Sequence, residues 1–141
     1  MTPTCSPHHA TCVAINGRGL LITGPSGSGK SALALQLLGL GAQLVADDQT
    51  LLHRDGDQII ATCPESLTGL IEARGMGILR VPALAAAMLT AVVDMASATT
   101  SRLPEPRQCD ILGVPIDLVS RVDADHFASA LMCFLSNGRH A

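Results

Sequence analysis

The chain has 141 residues, enough for one core of ordinary size and too few for an added substrate or lid domain. A formal net charge of −3, with charged residues at 15%, leaves no broad basic footprint and argues against nucleic acid as a partner. No stretch approaches the apolar length of a membrane span, and no basic region followed by an apolar one opens the chain, so neither a membrane nor export is expected.

Residues 1–8 are polar and contain proline, and they read as a flexible N-terminal tail ahead of a single domain over residues 9–141. The spacing predicts a strand over Thr11–Asn16, a tight turn at Gly17-Arg18-Gly19 and a second strand over Leu20–Thr23. Leu33, Leu37, Leu38 and Leu40 then recur at helical intervals from Ser31, with Gly39 and Gly41 as the stop. Gln43–Ala46 reads as a buried strand, followed by a hairpin of Thr50–His53 and Gln58–Ala61 turning through Arg54-Asp55-Gly56-Asp57. Leu70–Val81 reads as one strand broken by Gly75 and Gly77, Pro82–Met88 as a short helix, and Thr90–Met95 as a strand. A polar loop over Ser97–Gln108, a strand over Ile111–Val119 and a helix over Asp123–Leu135 with an acidic start complete the chain.

Between the second strand and the first helix stands Gly24-Pro25-Ser26-Gly27-Ser28-Gly29-Lys30-Ser31, which satisfies G-x-x-x-x-G-K-[ST] in full. Glycines let successive N–H groups turn toward a polyphosphate, and the following helix adds the positive end of its dipole. Lys30 can reach the β and γ oxygens, and Ser31 can offer its hydroxyl to Mg2+. Binding of a nucleoside triphosphate follows from strand, loop and helix together.

Transfer chemistry also needs a carboxylate near the γ-phosphate, and Asp47 and Asp48 end the strand that follows the loop's helix. Strand alternation predicts that they point to opposite faces and divide the work, with Asp47 as the base; a surface turn or metal-only duty for both are the other readings. An aspartate this early in the chain suits kinases of hydroxyl groups better than motor ATPases. Glu72 and Arg74 alternate so as to share one face, as functional side chains or as a structural ion pair. His9 precedes the strand whose partner leads into Gly24, so it can lie beside the loop. The run Cys5-x-x-His8-His9-x-x-Cys12 has too little chain between its donors to wrap a tetrahedral metal.

The five cysteines are widely spaced without a C-x-x-C pair, which fits reduced thiols in the cytoplasm. Apolar residues reach 48%, a surplus that a homo-oligomer would bury.

His9, the phosphate loop, Val45-Ala46-Asp47-Asp48 and Glu72-Ala73-Arg74-Gly75-Met76-Gly77 together resemble the catalytic domain of HPr kinase/phosphorylase, in order and at that family's spacing, over residues 9 to about 95. The resemblance implies an α/β fold, a P-loop nucleotide-binding domain of the HPr kinase / phosphoenolpyruvate carboxykinase type, often hexameric. It implies transfer of phosphate from ATP to a serine of the phosphocarrier HPr, and in many members removal by phosphorolysis with release of pyrophosphate. By position it makes Asp47 the base, Ser31 and Glu72 the ligands of Mg2+, His9 and Asp48 supports of the reacting phosphate and its base, and Arg74 the nearby positive charge. With no counterpart of the family's N-terminal domain in these 141 residues, the resemblance leads one to expect a short form similar to those of alphaproteobacteria. The P-x-R-P-G-R-N type segment is missing beyond Ile111–Ile116, and Ala73 stands for a usual β-branched residue. A kinase of a small hydroxyl metabolite and a nucleotide-sensing module without transferase activity are the competing functions.

Overall fold

Short apolar runs separated by two-residue turns make the chain fold mainly as strands. The computed structural model describes residues 5–64 and 68–140. β1 (Cys5–His8) precedes β2 (Thr11–Ile15) and β3 (Arg18–Thr23). β2 and β3 are joined through Asn16 (φ 53°) and Gly17 (φ 76°), both left-handed, the turn geometry that matches strand twist. Helix α1 (Lys30–Gly39) leads to β4 (Gln43–Ala46), and β5 (Thr50–Asp55) and β6 (Gln58–Thr62) form the next hairpin. β7 (Leu70–Ala73) and β8 (Gly77–Arg80) precede the long β9 (Ala86–Ala98), then β10 (Arg107–Ile111), β11 (Val114–Arg121) and α2 (Phe127–Asn137).

The large sheet has the order β1-β5-β6-β9-β3-β2-β4, with β11 also alongside β9 and β10 outside β11. β9 lies parallel to β3, whereas β2 is antiparallel to both β3 and β4. β4 therefore runs in the direction of β3, and their C-terminal ends reach the same edge. This places Asp47 on the edge where the phosphate loop begins.

Both helices lie on one face. Leu33, Ala34 and Leu37 of α1 and Phe127, Leu131 and Leu135 of α2 pack on Val13, Leu20, Ile22 and Val93 of the sheet. Each fully buried leucine contributes about 1.5–3 kcal/mol from apolar burial, before entropy is subtracted. The Arg18 guanidinium ties α2 down by donating to the carbonyls of Leu135 (3.0 Å) and Ser136 (3.1 Å), which the helix leaves without internal partners. The second core, with Leu21, Leu52, Ile59, Val92, Val114 and Ile116, is built from strand residues.

Several elements differ from the sequence expectations. Cys5–His8, within the span read as a tail, pairs antiparallel with Thr50–His53, a long-range partner that local polarity does not reveal; residues 1–4 lie outside the described residues. Leu70–Val81 is a hairpin and not a broken strand, reversing through Arg74-Gly75-Met76 with Gly75 at φ 91°. The helix expected over Pro82–Met88 does not form: Ala86–Met88 pair with β6, and the ladder outweighs the helical preference of alanine. The strand expected over Ile111–Val119 is interrupted at Leu112-Gly113, and β10 uses residues assigned to a loop. α2 begins at Phe127 instead of Asp123, whose carboxylate is held by Arg121 at 2.8 Å.

Candidate active site

The loop after β3 is shaped by three left-handed glycines, Gly24 (φ 144°), Gly27 (φ 83°) and Gly29 (φ 96°). Gly24 is also sterically required, since a Cβ there would stand 2.6 Å from Ser28 Oγ and 3.0 Å from Met95 Cβ. Met95 comes from β9, the strand beside β3, and its apolar side chain packs under the loop. The nearest carboxylate on the ligand side is supplied by the β4 end instead.

Ser28 Oγ is buried with no hydrogen-bond partner among the described residues. Within the same residues no side chain caps α1 at Gly29, so the first-turn N–H groups of that helix are left for a ligand. Lys30 is buried, and its Nζ donates to the carbonyls of Gly24 (2.7 Å) and Pro25 (3.2 Å). Those bonds hold the ammonium against the loop that it is expected to serve. An orphaned hydroxyl, an uncapped helix and a fixed cation fit a polyphosphate.

Asp47 is the convergence point. Its Oδ1 accepts from Ser31 Oγ and from Thr11 Oγ1, both at 3.1 Å, and its Oδ2 accepts a long 3.4 Å bond from Glu72 N–H. Asp48 has already left the strand, with a left-handed φ of 65°, so strand alternation does not govern it, and both aspartates line one cavity. They are separated by partners instead of by faces. Asp48 Oδ1 meets His9 Nε2 at 3.3 Å, an exposed contact that contributes little to stability, and its N–H donates to Thr11 Oγ1 at 3.3 Å.

The cavity is about 610 Å3, within the range of small-molecule sites, and takes its walls from the loop, both aspartates, Glu72, Arg74 and Met76. Glu72 and Arg74 are exposed, and no ion pair joins them among the described residues. A cleft of about 550 Å3 at Arg18, Met88 and Phe134 lies at the other end of β3 and contains no loop residue. Burial raises the thiol pKa of Cys63 and the charge of Asp47 raises it further, with a Thr68 hydrogen bond opposing, so this nearby thiol is not activated as a nucleophile.

The described residues contain no cluster of three His, Cys, Asp or Glu side chains arranged for a metal. Ser31 Oγ and the carboxylate of Glu72 are hard oxygen donors, which suit a hydrated Mg2+ that takes its other ligands from phosphates. The sequence expectation thus assembles as one site: loop, Asp47, Asp48, His9, Glu72 and Arg74. Thr11 and Met95 were not singled out by sequence; Thr11 carries no signal except its place beside His9.

The family model for the HPr serine kinase C-terminal domain matches residues 2–94, the stretch that carries the phosphate loop, Asp47, Asp48, His9, Thr11, Glu72 and Arg74. The chain belongs to this family. Among HPr kinase/phosphorylases, one from Acidovorax sp. is 40% identical, covering 77% of this chain and 38% of the relative. Another, from Leptothrix cholodnii, is 38% identical, covering 88% and 43%. The chain spans about two fifths of the length of these curated relatives. The solved structure of the Hpr(Ser) kinase/phosphatase from Coxiella burnetii matches with a TM-score of 0.78 at 26% identity, over 94% of this chain and 95% of that one. The expected α/β P-loop fold of the HPr kinase type is therefore the fold found. No helix of the described residues is long and apolar enough to cross a membrane.

Proposed function

We propose that this HPr kinase family domain is an ATP-dependent protein serine kinase whose acceptor is the phosphocarrier HPr. The observation that carries the reading is Asp47 in hydrogen-bond contact with Ser31, the residue that closes the phosphate loop. In the reaction, the loop amides, Ser28 and Lys30 would hold the triphosphate, and Ser31 and Glu72 would hold Mg2+. When bound, that ion neutralises charge on the β- and γ-phosphates. Asp47 accepts the serine proton as the serine oxygen bonds to the γ-phosphorus and the bond to the β-phosphate oxygen breaks. Arg74, which lines the same cavity, would offset charge on the transferred group, and Asp48 with His9 would orient the base's surroundings. Run backward, Asp47 protonates the leaving serine while inorganic phosphate attacks, giving the phosphorolysis that this reading includes.

A protein acceptor is favoured over a small metabolite by the rim of the cavity. Met76 is 79% exposed and Ile78 64% exposed, an apolar border with no use for a small polar substrate. A cytoplasmic homo-oligomer belongs to the same reading, supported by the apolar surplus and by exposed Leu40 and Leu103.

The test is incubation with γ-labelled ATP, Mg2+ and HPr. Labelled serine on HPr is expected, with Asp47→Ala losing about 100- to 10,000-fold in kcat while still binding ATP. ATP binding with no transfer by the wild type would sink the kinase reading in favour of the sensor, and pyrophosphate release from serine-phosphorylated HPr tests the reverse direction.

A further inference from the structure

We infer that Thr11 is a positioning residue that determines which oxygen of Asp47 takes the acceptor's proton; the inference rests on the reading of Asp47 as the base. Thr11 is fully buried at the first position of β2, and its backbone is in register with Ile22 of β3, two residues ahead of Gly24. Its hydroxyl has one proton to give, and gives it to Asp47 Oδ1 at 3.1 Å while accepting the Asp48 N–H at 3.3 Å. The accepted bond fixes the direction of the donated one, and each polarises the other. One buried side chain thereby ties both aspartates to the strand that feeds the phosphate loop.

Ser31 donates to the same Oδ1. Were the Ser31 hydroxyl to serve a bound cation instead, Thr11 would be the side chain still holding Oδ1. Oδ2 receives only the 3.4 Å approach of Glu72 N–H, so it is the oxygen left to accept a proton. The remaining charged groups that line this cavity are Lys30, Asp48, Glu72 and Arg74; of these Asp48 meets Thr11 through its backbone N–H, and a change at Thr11 leaves all four charged side chains in place. A structural threonine would only need its own hydroxyl satisfied, whereas this one makes both its bonds to the aspartate pair.

The experiment uses the whole chain with Thr11→Val, Thr11→Ala, Thr11→Ser and Asp47→Asn, measuring transfer from ATP to HPr, ATP affinity, and hydrogen exchange at the Asp48 amide. Thr11→Val and Thr11→Ala are expected to lower kcat by about ten- to a hundredfold, the effect of losing a hydrogen bond to a charged group, with KM for ATP and ATP affinity unchanged. Thr11→Ser is expected to restore most of kcat and the slow Asp48 exchange that the other two lose. If Thr11→Val fails to bind ATP, Thr11→Ala decides, since it only removes atoms. Wild-type kcat in the hydroxyl-free variants, with Asp47→Asn inactive, overturns the role of Thr11 and leaves the base in place. An active Asp47→Asn removes both.

Discussion

Ser31 and Asp47, sixteen residues apart, meet through a 3.1 Å hydrogen bond that joins the first turn of α1 to the end of β4. The contact exists because β2 lies antiparallel to both neighbours, which brings the ends of β3 and β4 to one edge. A serine that closes a phosphate loop thus reports directly on the carboxylate.

Ser31→Ala is expected to raise the Mg2+ concentration needed for half-maximal transfer by about tenfold or more, because the oxygen proposed to hold the cation is lost together with a partner of Asp47. Titration of activity with Mg2+ at saturating ATP measures it. Unchanged Mg2+ dependence would remove Ser31 from the cation's coordination.

Gly24→Ala should destabilise the fold by about 2 kcal/mol or more, combining a left-handed backbone with a Cβ pressed against Met95 Cβ. Thermal unfolding should show Tm lower by roughly 5–10 °C. Gly27 has open space around its missing side chain, so Gly27→Ala carries only the backbone part and should cost less.

Ile78→Ser is expected to raise KM for HPr by about fivefold, near 1 kcal/mol of docking free energy, with ATP affinity and Tm unchanged. Ile78 pairs across the hairpin with Glu72 on its exposed face, so a protein seated over the cavity would cover it. Steady-state kinetics at varied HPr separates this from a defect in phosphate handling.

Cys12 gives a pH signature of the core. Complete burial pushes its thiol up from 9.0 to about 12, opposed weakly by a hydrogen bond from the backbone at Leu20. The folded state favours the neutral thiol, so the stabilisation is fully present below about pH 9 and is lost as pH rises toward 12. Between pH 8 and pH 10 the wild type should lose about 1.4 kcal/mol more than Cys12→Ala, read from urea unfolding at each pH. Equal losses would mean that this thiol ionises alike in both states.

What could be read from sequence was local. The loop announces itself because eight consecutive residues carry its geometry, and Asp47 follows because one helix separates it from the loop. Thr11 was missed because its contact with Asp47 spans 36 residues and depends on the register of β2 against β4. The Ala83–Ala87 segment misled because alanine favours a helix in isolation, while here the ladder with β6 decides. The turn at Leu112-Gly113 was hidden because leucine is an unusual left-handed residue; Asp110 Oδ1 stabilises it by accepting Gly113 N–H at 2.8 Å.

The β7–β8 hairpin forms a sheet of its own and reaches the rest of the domain by packing Ile71 into the helix-side core. Its tip can therefore be lengthened or rewritten around Gly75 without breaking a rung of the large sheet. Because Arg74 at that tip also lines the phosphate cavity, a change of client would have to be written into Met76 and Ile78 while Arg74 stayed in place.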